Sequence, residues 1–198
     1  MTLYFDPVAI LGNDRDAFRG RWEDRLWLNV PGPFYGGETD TCWTGRLSAP
    51  AHVLYGGEYL SEYVYRQPGT PADTALLVEA ADNDPFLGYG CDGDSRWTPE
   101  SVREWWRNRS QVVQYLSDQR SKWDENDAWS GQGIAAAVRD FELYIAGAWQ
   151  LTCGFTSTGW KSGGPPHPLT ACPSCSVTRR VRGIAETKLS PRRTVCRS

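Results

Sequence analysis

A break in composition at residue 150 limits what this 198-residue chain can fold into. Residues 1–150 carry 13 Lys+Arg and 23 Asp+Glu, a net charge of −10; residues 151–198 carry 8 and 1, a net of +7. The second segment holds 23 Gly, Pro, Ser and Thr among its 48 residues, four of the six cysteines, and no apolar period of 2 or 3.6. Such a composition cannot bury enough surface to offset its ordering entropy. Residues 1–150 are therefore expected to form one acidic, Trp-rich globular domain, and residues 151–198 a poorly ordered basic tail. The tail's composition also fits out-of-frame reading of GC-rich DNA. No stretch approaches 18 consecutive apolar residues, so no membrane span is expected. The opening Met1-Thr-Leu-Tyr-Phe-Asp-Pro7 has neither a basic nor an apolar leader region. A cytoplasmic location with reduced thiols is the resulting expectation.

Within the body, helical and extended patterns alternate. Phe18, Trp22 and Leu26 recur at i, i+4, i+8 after the capping residues Asn13 and Asp14, which predicts a helix from about Arg15 that stops before Pro31. Val53–Arg66, interrupted by Gly56-Gly57, reads as a hairpin. Its second strand alternates Tyr59, Ser61, Tyr63 and Tyr65 with Leu60, Glu62 and Val64. Two strands alone are marginal, so Thr2–Phe5 or Cys42–Leu47 is expected to add a third. Thr70-Pro71 and Thr98-Pro99 are helix starts, with a capping hydroxyl followed by proline at the first helical position. The first carries Ala75, Leu76, Val78 and Ala80 as its apolar side; the second carries Val102, Trp105, Trp106, Val112, Val113 and Leu116. A last helix is predicted over Gln132–Gln150 on the stripe Ile134, Ala137, Val138, Phe141, Tyr144, Ile145 and Ala148. The fold class is α+β: a small antiparallel sheet of 2–4 strands with about four helices.

Three groups of residues carry candidate chemistry. The Gly-rich loop Pro31–Gly45 holds Asp40 and Cys42. With His52 they would make a nucleophile, base and orienting acid, the arrangement of a cytosolic hydrolase or transferase. Cys172-Pro-Ser-Cys175 has the spacing of a metal knuckle that Cys153, His167 and Cys196 could complete, but the second short-spaced pair typical of zinc sites is absent. Asp82-Asn-Asp84 and Asp92-Gly-Asp94 bracket a loop without the register of a calcium hand. No phosphate-cradling glycine motif occurs, so no nucleotide cofactor is expected.

Aromatic residues supply the leading functional reading. Nine of the ten Trp lie in residues 1–150. Trp22, Trp105 and Trp149 fit helix faces; Trp43, Trp97, Trp123 and Trp129 fall in expected loops. A loop Trp is a favoured interface anchor, and an acidic surface steers a cationic protein while repelling nucleic acid. The expected function is a non-catalytic protein-binding module for a basic partner. Its binding residues would be Glu38, Asp40, Trp43, Asp92, Asp94 and Trp97, gathered on one surface by the loops Gly32–Gly45 and Asp82–Asp94.

Asn29-Val-Pro-Gly-Pro-Phe-Tyr-Gly-Gly-Glu-Thr-Asp-Thr-Cys-Trp-Thr-Gly45, Tyr63-Val-Tyr-Arg-Gln-Pro68 and Gly90-Cys-Asp-Gly-Asp94 together resemble small bacterial proteins, some of them labelled ferredoxins. That resemblance implies an iron–sulfur or other metal role for the cysteines. In general character the acidic body is also similar to the immunity proteins of bacterial toxin systems.

Overall fold

The computed structural model describes residues 5–131 and 133–148. The expected tail and its candidate ligands Cys153, His167, Cys172, Cys175 and Cys196 lie outside the described residues. The described residues all belong to one compact unit, Met1–His167, and they form an α+β fold. Short 3-10 turns at Gly12–Ala17 and Trp22–Asp24 lead into β1 (Tyr35–Gly36), α1 (Thr44–Ser48), β2 (Val53–Gly56) and β3 (Ser61–Val64). Then follow α2 (Pro71–Asn83), β4 (Tyr89–Gly90), α3 (Gly93–Arg96), α4 (Pro99–Ser130) and α5 (Ile134–Leu143), which runs on into a π turn, Tyr144–Ala148.

The hairpin forms where expected, with Val53 opposite Val64 and Gly56 opposite Ser61. Both of its faces are covered. Tyr63 and Tyr65 enter one core with Trp97, Val102, Leu116 and Phe141 from α4, α5 and their approaches. Val53 and Val64 enter a second core with Phe34, Leu77, Ala80 and Tyr89. The period-2 alternation thus divides the strand between two apolar clusters.

No third strand joins the hairpin among the described residues. Cys42–Leu47 is mostly helix, and Tyr35–Gly36 pairs with Tyr89–Gly90 in a separate antiparallel ladder. Asn29 joins the two ladders with its side chain. Its Oδ1 accepts from Gly36 N (2.8 Å) and Val64 N (2.9 Å), while Nδ2 donates to Gly36 O and Leu26 O, each at 2.7 Å. One buried amide takes the place of a short connecting strand.

The helix expected across Phe18, Trp22 and Leu26 does not form; that stretch holds only part of the 3-10 turn Gly12–Ala17 and the turn Trp22–Asp24. Gly20 shows why. Its N–H donates to Tyr89 O at 2.7 Å, and a Cβ there would lie 2.3 Å from Gly88 O. The chain must cross β4 at backbone distance, which a continuous helix forbids.

Both Thr-Pro starts form as read. Thr70 Oγ1 accepts from Asp73 N at 3.2 Å, and Asp73 Oδ2 accepts from Gly69 N at 3.1 Å. Thr98 and Ser101 bond each other reciprocally, Ser101 N to Thr98 Oγ1 at 3.1 Å and Thr98 N to Ser101 Oγ at 2.9 Å. On α2 the buried face is Thr74, Leu77, Ala80 and Ala81; of the expected stripe only Ala80 is fully buried. Helix α4 runs for 32 residues, to Gly131 at φ 65, so Trp123 is a buried helix residue and not a loop anchor. Its Asp127 caps α5 by accepting from Ile134 N (2.7 Å) and Ala135 N (2.9 Å). On α5 the buried positions Ile134, Ala137, Val138 and Phe141 match the expected stripe.

Candidate functional site

Pairing of β1 with β4 brings the loops Gly32–Gly45 and Asp82–Asp94 together, but most of their acids point inward. Asp40 is 3% exposed. Its Oδ1 accepts from Cys42 N (2.9 Å) and its Oδ2 from Thr44 Oγ1 (2.7 Å), so it shapes the entry to α1. Asp84 is fully buried and accepts from Asp40 N (3.0 Å), Phe86 N (3.1 Å) and Gly88 N (2.7 Å). Glu62 is buried too and receives Arg46 N (2.6 Å), Gly45 N (3.0 Å) and Tyr89 Oη (2.9 Å). Burial pushes the Glu62 carboxyl from 4.5 up to about 7, against the pull of those three donors. These carboxylates hold loops in place; their oxygens are occupied by the protein.

The other candidate residues are scattered. Asp92 accepts from Tyr35 Oη (2.7 Å) and Arg96 Nε (2.9 Å). Burial would raise its carboxyl, yet these donors hold it below the ordinary carboxylate range. Trp97 is 8% exposed and belongs to the core, so it is no surface anchor. Half-buried Trp43 sits in the left-handed region at φ 63 and stacks on Tyr55 with ring centroids 4.5 Å apart. Glu38 and Asp94 are exposed.

The catalytic constellation does not assemble. Cys42 is exposed and meets Asp40 only through its backbone N–H. Buried His52 has Nδ1 at 3.0 Å from Arg66 O and Nε2 at 3.6 Å from Asp73 Oδ1, so its ring contacts lie with the hairpin end and α2. Among the described residues no group of three or more His, Cys, Asp or Glu stands close enough to hold a metal ion. No described helix is long and apolar enough to cross a membrane.

What the two loops do present is a face the sequence reading passed over. Segments 38–48 and 79–88 are tied by Asp40 N to Asp84, by Gly37 N to Gly88 O (3.0 Å), and by Asn83 Nδ2 to Ser48 Oγ (3.0 Å). Phe86 stands 70% exposed and Leu47 61% exposed. The exposed charges of these segments are Glu38, Glu79 and Asp82, all negative. Arg46, their one basic residue, is buried, with its guanidinium on Pro50 O and on Val53 O (3.0 Å). Phe86 is held rigidly: its own N–H and that of Gly88 end on Asp84, and Leu87 between them is fixed at φ 55. The Pro85-Phe86 pair inside an Asp-rich turn was the available signal, because an aromatic between turn residues has nowhere to bury.

No family model, no curated protein and no solved structure matches this chain.

Proposed function

We propose that the chain is a non-catalytic protein-binding module, of the immunity or accessory type, and that a basic partner docks on the face of segments 38–48 and 79–88. The observation that carries this reading is the pairing of exposed Phe86 and Leu47 with surface charges of one sign. An apolar side chain pre-set by a buried Asp costs little ordering entropy when it enters a partner's pocket. Glu38, Glu79 and Asp82 then supply long-range attraction for Lys and Arg and repel acidic competitors. Trp43 and Trp97 act from beneath, as packing, and Phe86 takes the anchoring part. A cytoplasmic setting accompanies this proposal.

Selection of displayed peptides against the full-length protein tests it, with counter-selection on Phe86→Ala/Asp82→Lys. Peptides that pair Lys or Arg with an apolar residue should be enriched, and they should lose binding to the variant. Losing a buried Phe is worth about 1.5–3 kcal/mol, so Phe86→Ala alone should weaken such a peptide roughly 10- to 100-fold. Enrichment of acidic peptides, or equal binding to the variant, would overturn the proposal.

A further inference from the structure

A groove of about 350 Å³ opens between the segment Arg25–Asn29 and the first half of α4. None of its residues belongs to the acidic face. Its size falls within the range of small-ligand sites, and its walls carry Trp27, Trp97 and Trp105. Trp27 is 48% exposed and braced edge-on by Tyr115, with ring centroids 5.7 Å apart. The indole Nε1–H groups of Trp97 and Trp105 are buried and have no acceptor within the described protein. A buried donor without a partner is costly and calls for an acceptor from elsewhere.

The rim is polar in both senses. Glu104, Asn108 and Gln111 come from successive turns of one face of α4, are exposed, and have no hydrogen-bond partner among the described residues. Arg25 lies across the groove with its guanidinium 3.8 Å over the Trp22 ring and one N–H on Trp22 O (3.1 Å); no described carboxylate pairs with it. One unpaired cation and one unpaired carboxylate make the site neutral overall. A bare anion would meet Glu104, and a bare cation would meet Arg25. An apolar ligand would leave both indole donors unsatisfied. A sugar ring meets each requirement: its C–H faces lie on indole, and each hydroxyl both donates and accepts.

We infer that this groove is a saccharide subsite that takes a neutral pyranose ring. Trp27 and Trp105 provide stacking faces, the indole N–H groups of Trp97 and Trp105 donate to hydroxyl or ring oxygens, and Glu104 with Asn108 accepts from hydroxyls.

Titration of the 15N-labelled full-length protein tests the inference, with the indole Nε1–H signals assigned from Trp97→Phe and Trp105→Phe. The probes are glucose, galactose, N-acetylglucosamine, maltose and cellobiose, with free phenylalanine and arginine as zwitterionic comparisons. At least one neutral sugar should shift both indole signals saturably. Its affinity should fall about tenfold or more in Glu104→Ala/Asn108→Ala, two exposed positions whose truncation leaves the fold intact. Three results would overturn the inference: no saturable shift with any of the sugars, saturation by the amino acids alone, or unchanged sugar affinity in the double variant.

Discussion

Replacing Asn29 by Ala removes the one side chain that links the hairpin to the β1–β4 ladder. In the native protein Gly36 N and Val64 N both end on Asn29 Oδ1. Gly36 O keeps Leu26 N as a donor at 3.1 Å, and Leu26 O keeps Asn29's own backbone N–H at 3.1 Å. The uncompensated loss is therefore two buried N–H groups. Each such group costs about 1–3 kcal/mol, so Asn29→Ala should lose about 2–6 kcal/mol. Urea titration of the full-length protein, followed by circular dichroism, reads this as a lower midpoint at unchanged slope. Asn29→Asp sharpens the test. It keeps both acceptor functions but turns a carboxylate oxygen toward Gly36 O and Leu26 O. That variant should be unstable at neutral pH and recover as the carboxyl protonates in acid. A loss below about 1 kcal/mol in Asn29→Ala would refute the bridging role.

Thr70→Ala and Thr98→Ala each remove a capping acceptor and should cost about 0.5–2 kcal/mol in the same assay; unchanged midpoints in both would deny these caps any energetic part. Gly20→Ala puts a methyl group 2.3 Å from Gly88 O and 2.7 Å from the Tyr89 carbonyl carbon, both backbone atoms. It should exceed the usual overpacking cost of about 1–3 kcal/mol, and full stability would contradict the close crossing. Glu62 gives a pH dependence of definite sign. Its folded pKa is raised from 4.5 to about 7, so the folded state binds more protons than the unfolded state across that window. Stability should fall as pH rises through it, by up to about 3 kcal/mol in total. Glu62→Gln should flatten that slope relative to the native protein, and an unchanged slope would exclude Glu62 as its source.

Legibility in the sequence followed the range of the forces. Caps and amphipathic stripes act within a few residues, so Thr70, Thr98 and the α5 face could be read directly. The hairpin was legible for the same reason, through Gly56-Gly57 and its alternating tyrosines. The missing helix over Phe18–Leu26 was not, because its veto comes from Gly88 and Tyr89, some seventy residues away. The same distance hid Asn29, whose partners sit on two other segments. At the candidate site, Asp40 and Asp84 read as surface acids because turn composition cannot distinguish a solvated carboxylate from one that collects buried N–H groups. Trp97 and Trp123 read as loop anchors because the expected helix boundaries were placed without the full run of α4. Phe86 was passed over in favour of the tryptophans, although it alone sat in a turn too short to bury it.

Association kinetics with a selected basic peptide test the central proposal most directly. Rates are measured at low and at physiological salt for the native protein and for Glu79→Lys/Asp82→Lys. Both positions are exposed, so the fold is unaffected. The native rate constant should fall steeply as salt is added, because screening shortens the reach of Glu38, Glu79 and Asp82. The variant should associate slowly, with the salt effect abolished or reversed. Identical rates and identical salt slopes for the two proteins would contradict docking on this acidic face.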